Sequence, residues 1–435
     1  MNICLLNDSF PPSIDGVANA VYNYAEILAN AGDDVAVATP KYPGVIDNYP
    51  FDVVRYASAN TVKLAGYRAG LPIVRETIRT LSGKKPQVLH SHCPVASTIL
   101  ARALRETADA PIILTYHTKF DIDIANLIRS HLLQEAAIKL LCNNITACDE
   151  VWVVSRIAGE NLRSLGYQGD YVIMENGVDL PKGRVDDNKV QALRTQHGIA
   201  ESDLVFLFVG RLMWYKGIRI ILDSLAALKA QGLKFSMVFV GDGRDRADIE
   251  KYAQSLALDV IFTGAVNDRE LLRQYYCLGD IFLFPSTFDT NGLVVREAAA
   301  CSLPSILIKD SAAAEGVEDG FSGFLSEENA ESFAAVLKNA VSNRDHLKKT
   351  GENARDFIYT SWEDSVKRAR ARYEIVAENY KSRGSHHQKL HSDEIFELIG
   401  SVNAGLDRLS SAYSRLGQTT QKMGDNITHF LDKHL

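Results

Sequence analysis

The sequence predicts an α/β protein of two doubly wound domains facing a cleft, followed by a helical C-terminal extension. Three observations lead there. A chain of 435 residues is longer than one hydrophobic core usually serves, at roughly 150 residues per domain. Short apolar runs alternate with helix-length amphipathic segments in two consecutive series. Near the C-terminus the apolar residues fall into steps of four and three.

The first series opens with Ile3-Cys4-Leu5-Leu6, a helix from about Val17 to Ala31, and Val35-Ala36-Val37-Ala38. It continues through Gln87-Val88-Leu89-His90, Ile112-Ile113-Leu114-Thr115 and Val151-Trp152-Val153-Val154. Each run is too short for a helix and reads as a buried parallel strand. A polar stretch from Pro181 to Asn188 separates this series from the next. The second comprises Leu204 to Val209, Ser236 to Val240, Val260-Ile261-Phe262, Ile281 to Phe284 and Ser305-Ile306-Leu307-Ile308. Ligands of such folds bind beyond the carboxyl ends of the strands, so the cleft between the domains is the expected site.

Lys381 to Ser392 is polar, contains Gly384 and three histidines, and reads as a linker. From Ile395 the positions Ile399, Val402, Leu406, Leu409, Tyr413, Leu416, Thr420, Met423, Ile427 and Phe430 form a heptad seam in which only Thr420 is polar. That pattern predicts a coiled coil and a homo-oligomer through residues 395–430. Packing on the chain's own body or on a membrane are the other uses of such a helix. Gly400, Gly405, Gly417 and Gly424 weaken it by about 1 kcal/mol each relative to alanine.

Composition narrows the function. With 46% hydrophobic and 23% charged residues the chain is an ordinary globular protein. Its net charge of -7 disfavours nucleic acid as a partner. The N-terminus lacks the basic flank and long apolar core of a secretory signal, and no run approaches a membrane span, so the expected location is the cytoplasm. Six scattered cysteines without a CxxC pair read as reduced thiols, not as disulfides or a zinc site.

Three segments could carry chemistry. The first β-α junction contains Asp15-Gly16-Val17, where a glycine at a helix start lets free amides approach an anion, or simply makes a tight turn. It is not the Gly-x-Gly-x-x-Gly of a dinucleotide fold. Past the strand ending at Val209, Arg211 and Lys216 place two cations where they could clamp a diphosphate, or lie on a solvated loop and helix surface. Asp289-Thr290-Asn291-Gly292-Leu293 sets a carboxylate and free amides at a loop-to-helix transition, with Glu297 eight residues on. Carboxylates suit sugar hydroxyls because they accept several directed hydrogen bonds; Glu297 could equally be an ion-pair partner.

Taken together, Gly210-Arg211-Leu212 with Lys216-Gly217, Gly241-Asp242-Gly243, Phe262-Thr263-Gly264 and the Asp289 to Glu297 segment resemble the donor half of retaining GT-B glycosyltransferases of family 4. Asp15-Gly16-Val17, His90-Ser91-His92, Thr115-Tyr116-His117-Thr118 and Glu175-Asn176-Gly177-Val178-Asp179 follow that family's order in the N-terminal half. The likeness covers about residues 1 to 380. It implies a hexosyltransferase that uses a nucleotide-sugar donor and needs neither cofactor nor metal. Arg211 and Lys216 would bind the donor diphosphate, with the backbone near Gly16 meeting it from the facing domain. Glu297 would hold the ribose hydroxyls, and the amides of Asn291, Gly292 and Leu293 would lie along the sugar and phosphate. Asp289 stands where the family usually has glutamate, one methylene longer. His117 would sit beside the transferred sugar, Asp15 would orient or deprotonate the acceptor, and backbone from Val260 to Val266 would shape the base pocket, for UDP or GDP alike.

The implied division is 1–180 for an acceptor domain, 181–360 for the donor domain, 361–380 for a helix returning to the N-terminal domain, 381–392 for the linker and 393–435 for the heptad helix. The acceptor is read from charge. Between Thr61 and His90 stand Lys63, Arg68, Arg75, Arg79, Lys84 and Lys85 against the single acid Glu76, interleaved with Tyr67, Leu71, Ile73 and other apolar residues. This suits either an anionic membrane surface or a solvated helix face. A second apolar stretch runs from Ile124 to Leu141. These features resemble bacterial diacylglycerol and phosphatidylinositol glycosyltransferases, which implies a lipid acceptor and peripheral attachment to the inner face of the membrane. A soluble or polymeric saccharide acceptor, or a nucleotide-sugar epimerase on the same fold, are the alternatives.

Overall fold

The computed structural model describes residues 1–13, 15–62 and 68–383, leaving out the side chains of residues 122, 123, 126, 127 and 383. Lys63, Tyr67 and the heptad helix expected over 393–435 lie outside the described residues. The N-terminal half alternates as expected: β1 (Asn2–Leu6), α1 (Gly16–Asn30), β2 (Asp34–Pro40), β3 (Asp52–Tyr56), β4 (Ser58–Ala59), β5 (Ala69–Gly70), α2 (Arg75–Gly83), β6 (Val88–Ser91) and α3 (Ala96–Ala108). It continues with β7 (Ile112–Tyr116), α4 (Phe120–Leu127), α5 (His131–Thr146), β8 (Glu150–Val153), α6 (Arg156–Ser164) and β9 (Val172–Ile173). Seven of these strands form one parallel sheet in the order β3-β2-β1-β6-β7-β8-β9. Helices cover both faces, which is why the strands are apolar throughout and not alternating. One face packs against α1, the other against α2, α3, α5 and α6.

The C-terminal half repeats the plan with α7 (Asp187–Gln196), β10 (Leu204–Val209), α8 (Ile218–Ala230), β11 (Phe235–Val240), α9 (Arg246–Ser255), β12 (Val260–Gly264), α10 (Arg269–Leu278) and β13 (Ile281–Phe284). Then follow α11 (Leu293–Ala300), β14 (Ser305–Ile308), β15 (Phe324–Ser326), α12 (Ala330–Val341), α13 (Arg344–Phe357) and α14 (Trp362–Arg383). Its parallel sheet has the order β12-β11-β10-β13-β14-β15. Phe206, Phe208, Phe239, Phe282 and Phe284 fill its centre with almost no exposure, each worth about 1.5–3 kcal/mol in burial alone.

The chain crosses between the halves twice, side by side. A parallel bridge joins Val178 to Ser361, and the Val178 amide donates to the Thr360 carbonyl at 3.1 Å. Gly177 permits the crossing, because a Cβ there would lie 2.3 Å from the Trp362 nitrogen. Helix α14 then buries Trp362, Val366, Ala369 and Tyr373 against α1 and the first sheet. It runs to Arg383, three residues into the stretch that polarity marks as linker; Lys381-Ser382-Arg383 contains no helix breaker, and Gly384 is the first to follow. Among the described residues no helix is long and apolar enough to cross a membrane, and all six cysteines are free thiols.

Candidate active site

Strand order reverses between β1 and β6 in the first sheet and between β10 and β13 in the second. The loops leaving these four strands meet in one cavity of about 840 Å³, lined by Asn7 and Asp8, His92 and Cys93, Val209 and Gly210, and Phe284. Ligands of open α/β sheets bind at such switch points, and the volume is at the upper end of the roughly 300–1,000 Å³ of small-molecule sites.

The C-terminal half supplies a polar wall. Lys216 ends a tight turn after β10, and its Nζ donates to Asp289 Oδ1 at 2.5 Å. Ser286 Oγ donates to the other oxygen of Asp289, also at 2.5 Å. Gly292 caps α11 at φ +58°, where an added Cβ would meet Ala313 Cα at 2.8 Å. The first amides of α11 have no acceptor within the helix, and Gly292 and Leu293 line the cavity beside them. Asn291 is 7% exposed, and its side-chain oxygen and nitrogen both lack a partner.

The remaining residues expected at the donor, Arg211, Val266 and Glu297, are not among those that line the cavity. Arg211 is exposed, and Val266 packs partly buried on the core of the C-terminal half. Glu297 accepts from the Tyr276 hydroxyl at 2.7 Å and from Arg269 at 3.4 Å. Burial pushes its carboxyl up, against the pull of those two partners. Arg269 also donates to Asp179 Oδ2 at 2.6 Å, and Asp179 accepts from Asn19 and Asn23 of α1 at 3.3 Å each. Glu297 is thus tied through Arg269 to the opposite half of the molecule, a bridge that local sequence pattern does not show.

The N-terminal half supplies histidines. His117 is 6% exposed, and its Nε2 lies 3.0 Å from Nδ1 of His92. His92 packs on His90 with ring centroids 4.0 Å apart, and His90 reaches Thr115 and Tyr373 at 2.7 and 2.5 Å. Burial lowers the pKa of all three, His117 to about 3, so the imidazoles are neutral at neutral pH. The His117 carbonyl accepts from the Thr290 hydroxyl at 3.0 Å, and Ser155 Oγ donates to the Thr290 carbonyl at 2.6 Å. Glu315 accepts from the Arg156 amide at 2.6 Å, closing the cleft on that side.

Asp15 lines the cavity, but its Oδ1 caps α1 by accepting from the amides of Val17 and Ala18 at 2.9 and 2.8 Å. A Cβ added at Gly16 would touch nothing; unlike Gly292, this glycine is not demanded by the chain's own packing. Asp8 is an addition to the sequence-based set. It is 6% exposed and accepts from the amides of Ala96 and Ser97 at 3.0 and 2.7 Å, and from the Ser97 hydroxyl. Burial pushes its carboxyl up against those bonds. Away from the cavity, Arg75 and Arg79 are exposed on α2 beside exposed Leu71 and Ile73. Arg68 instead bonds to Ser58, at 2.9 and 3.1 Å.

Comparison with known proteins gives a family match for each half. Residues 14–182 match the family described as Glycosyltransferase Family 4, and residues 189–357 match Glycosyl transferases group 1. An alpha-monoglucosyldiacylglycerol synthase of Acholeplasma laidlawii is 28% identical over 346 residues, covering 76% of this chain and 86% of its own. A GDP-mannose-dependent alpha-mannosyltransferase of Corynebacterium glutamicum is 29% identical over 336 residues, covering 75% of this chain and 76% of its own. The crystal structure of Anabaena HepE in complex with UDP superposes with a TM-score of 0.69 at 20% identity, over 87% of this chain and all of that one. The chain is a glycosyltransferase whose N-terminal half matches Glycosyltransferase Family 4 and whose C-terminal half matches Glycosyl transferases group 1, with a two-domain GT-B-like fold.

Proposed function

We propose that this glycosyltransferase moves a hexose from a nucleoside-diphosphate sugar, a UDP-sugar in preference to GDP-mannose, to a hydroxyl of a membrane glycerolipid such as diacylglycerol. Transfer proceeds with retention and without a metal ion. The observation that carries the reading is the meeting, in one cavity, of the Lys216–Asp289 pair and the unpartnered Asn291 with the buried neutral His117 of the facing half.

The donor diphosphate exchanges with Asp289 for Lys216, while the free amides at the start of α11 and Arg211 at the rim share its charge. Freed of Lys216, Asp289 accepts from hydroxyls of the sugar, and Asn291 finds the partners it lacks. The ribose takes Glu297 from Arg269. His117, being neutral, borders the sugar without repelling the positive charge that grows at its anomeric carbon. The carbon–oxygen bond to phosphate breaks and the bond to the acceptor oxygen forms on the same face. The acceptor proton passes to the departing phosphate, so no protein nucleophile is needed. With one oxygen committed to capping α1, Asp15 orients the acceptor. Arg75 and Arg79 face an anionic bilayer on the cytoplasmic side, with exposed Leu71 and Ile73 just before them in the chain. The lipid reading draws support from relatives such as the monoglucosyldiacylglycerol synthase.

The test is transfer from a panel of UDP- and GDP-sugars, with and without diacylglycerol vesicles, read by product mass and anomeric configuration. An α-glycosyl lipid from an α-linked donor is the expected product. Nucleotide release that vesicles leave unchanged, with no lipid product, would overturn the acceptor assignment.

A further inference from the structure

The cavity has a second compartment that the chemistry above leaves unused. Beyond His117 its wall turns apolar, built from the start of α3, from α4 and from one face of α5. We propose that this lobe, bounded by Val95, Ile99, Phe120, Ile124, Ala137 and Leu140, binds the aliphatic tail of the acceptor, which leaves between Val95 and Leu140. The proposal rests on the lipid reading and adds to it where the tail runs.

Three observations support this occupant. First, the lobe has little to offer a saccharide. Its polar neighbour Asn144 is already satisfied, donating to the Pro94 carbonyl at 3.0 Å and accepting from Arg102 at 2.8 Å. A sugar entering here would leave its hydroxyls unpaired, whereas an alkyl chain would lose only water.

Second, the lobe is open on the outside. Val95 and Leu140 line the cavity and are also 43% and 59% exposed. Leu133, Ala137 and Leu140 or Leu141 succeed one another at helical spacing, so one face of α5 runs from the surface into the cavity.

Third, the mouth lies on the layer already assigned to the bilayer. Helices α2 and α5 both pack against α3, which places the mouth on the same side of the sheet as Arg75 and Arg79. Among the described residues, seven of the thirteen exposed large hydrophobic side chains fall between Val62 and Leu140. A single cavity therefore joins a polar reaction centre to an apolar exit at a basic, leucine-bearing surface, the two ends that a glycerolipid presents.

The experiment uses the full chain, the donor identified by the panel, and diacylglycerols from dibutyryl to dioctanoyl. Wild-type kcat/KM for the acceptor should rise with chain length, by about fourfold for each methylene fully buried. Ala137→Phe, which fills the lobe, should flatten that rise and cost at least tenfold on the dioctanoyl lipid, with UDP affinity unchanged. Leu140→Gln, at an exposed position that fold stability does not depend on, should cost less in the same direction. It decides the question if Ala137→Phe fails to fold. A chain-length profile identical to wild type in variants that still bind UDP would place the tail elsewhere and overturn the proposal. So would a concentration-dependent dimer that Leu140→Gln dissolves without changing the profile, since the face would then belong to a second copy. Failure of wild type to glycosylate any lipid is a different result and would remove the lipid reading itself.

Discussion

The two walls of the cavity are built on different principles. The C-terminal wall comes from two adjacent βα turns, in which Lys216, Ser286 and Asp289 hold one another at 2.5 Å and Gly292 is fixed by its close approach to Ala313. The N-terminal wall is collected from the loops after β1, β6, β7, β8 and β9 and from four helices, α1, α3, α4 and α5, and it changes from buried histidines to leucines along its length. The first wall has the character of a fixed charge site for a fixed chemistry. The second has the composition in which acceptor preference can vary without disturbing the first.

The largest test of this contrast is Lys216→Ala. Removing a charge that stabilises a leaving group in a preorganised site typically costs about 100- to 1000-fold, and a loss of that size in kcat/KM is expected whatever the acceptor. Steady-state kinetics on two acceptors would check it. A loss confined to one acceptor would break the separation of the walls.

Acid should unfold the two walls unequally. His90, His92 and His117 are neutral in the folded state, with pKa values held below the ordinary 6.5 by burial. Unfolding lets each take up a proton, so the stability they preserve is complete above pH 6.5. It is lost as pH falls from there toward their folded values, at about 1.4 kcal/mol per pH unit for each. Asp8, pushed up by burial, works in the opposite sense with one proton against three. Hydrogen exchange at pH 5 should therefore release β6 and β7 before β10 and β11. Simultaneous release would show that the histidines do not set the acid limit.

Glu297→Gln probes the bridge, behind the C-terminal wall, that ties the two halves through Arg269. Losing a charged hydrogen bond to the ribose should weaken UDP binding by about tenfold, measured by calorimetry. Unchanged affinity would remove Glu297 from the nucleotide site.

The sequence makes one wall far more legible than the other, for a physical reason. Arg211, Lys216 and Asp289 sit in short turns after strong apolar strands, and Glu297 on the helix that follows the last of them, so local pattern places them beyond the carboxyl ends of a sheet. His90 and Tyr373 touch across 283 positions of sequence, and nothing local announces that contact. Short strands such as β9 and β15, of two and three residues, carry too little pattern to stand out. Periodicity in α5 shows an apolar face but not whether protein or solvent covers it, and the exposure of Leu132 and Leu140 is visible only in three dimensions. Asp15 illustrates the converse limit: its position in the motif is plain, while the two amides that occupy one of its oxygens are visible only in three dimensions.

The smallest expected effect is also the most direct test of how the walls communicate. Arg269 is half exposed and spans Glu297 and Asp179, which in turn holds Asn19 and Asn23 of α1. If the ribose must take Glu297 from Arg269, then Arg269→Gln removes a competitor, and UDP should bind more tightly. An exposed ion pair is worth about 0–1 kcal/mol, which limits the gain to about fivefold. The gain should shrink as salt is raised, because at 1 M the screening length falls to about 3 Å. Weaker binding in the variant would instead make Arg269 a ligand of the donor. An acceptor KM that moves while UDP affinity stays fixed would show that the bridge sets the approach of the two walls and leaves the nucleotide site untouched.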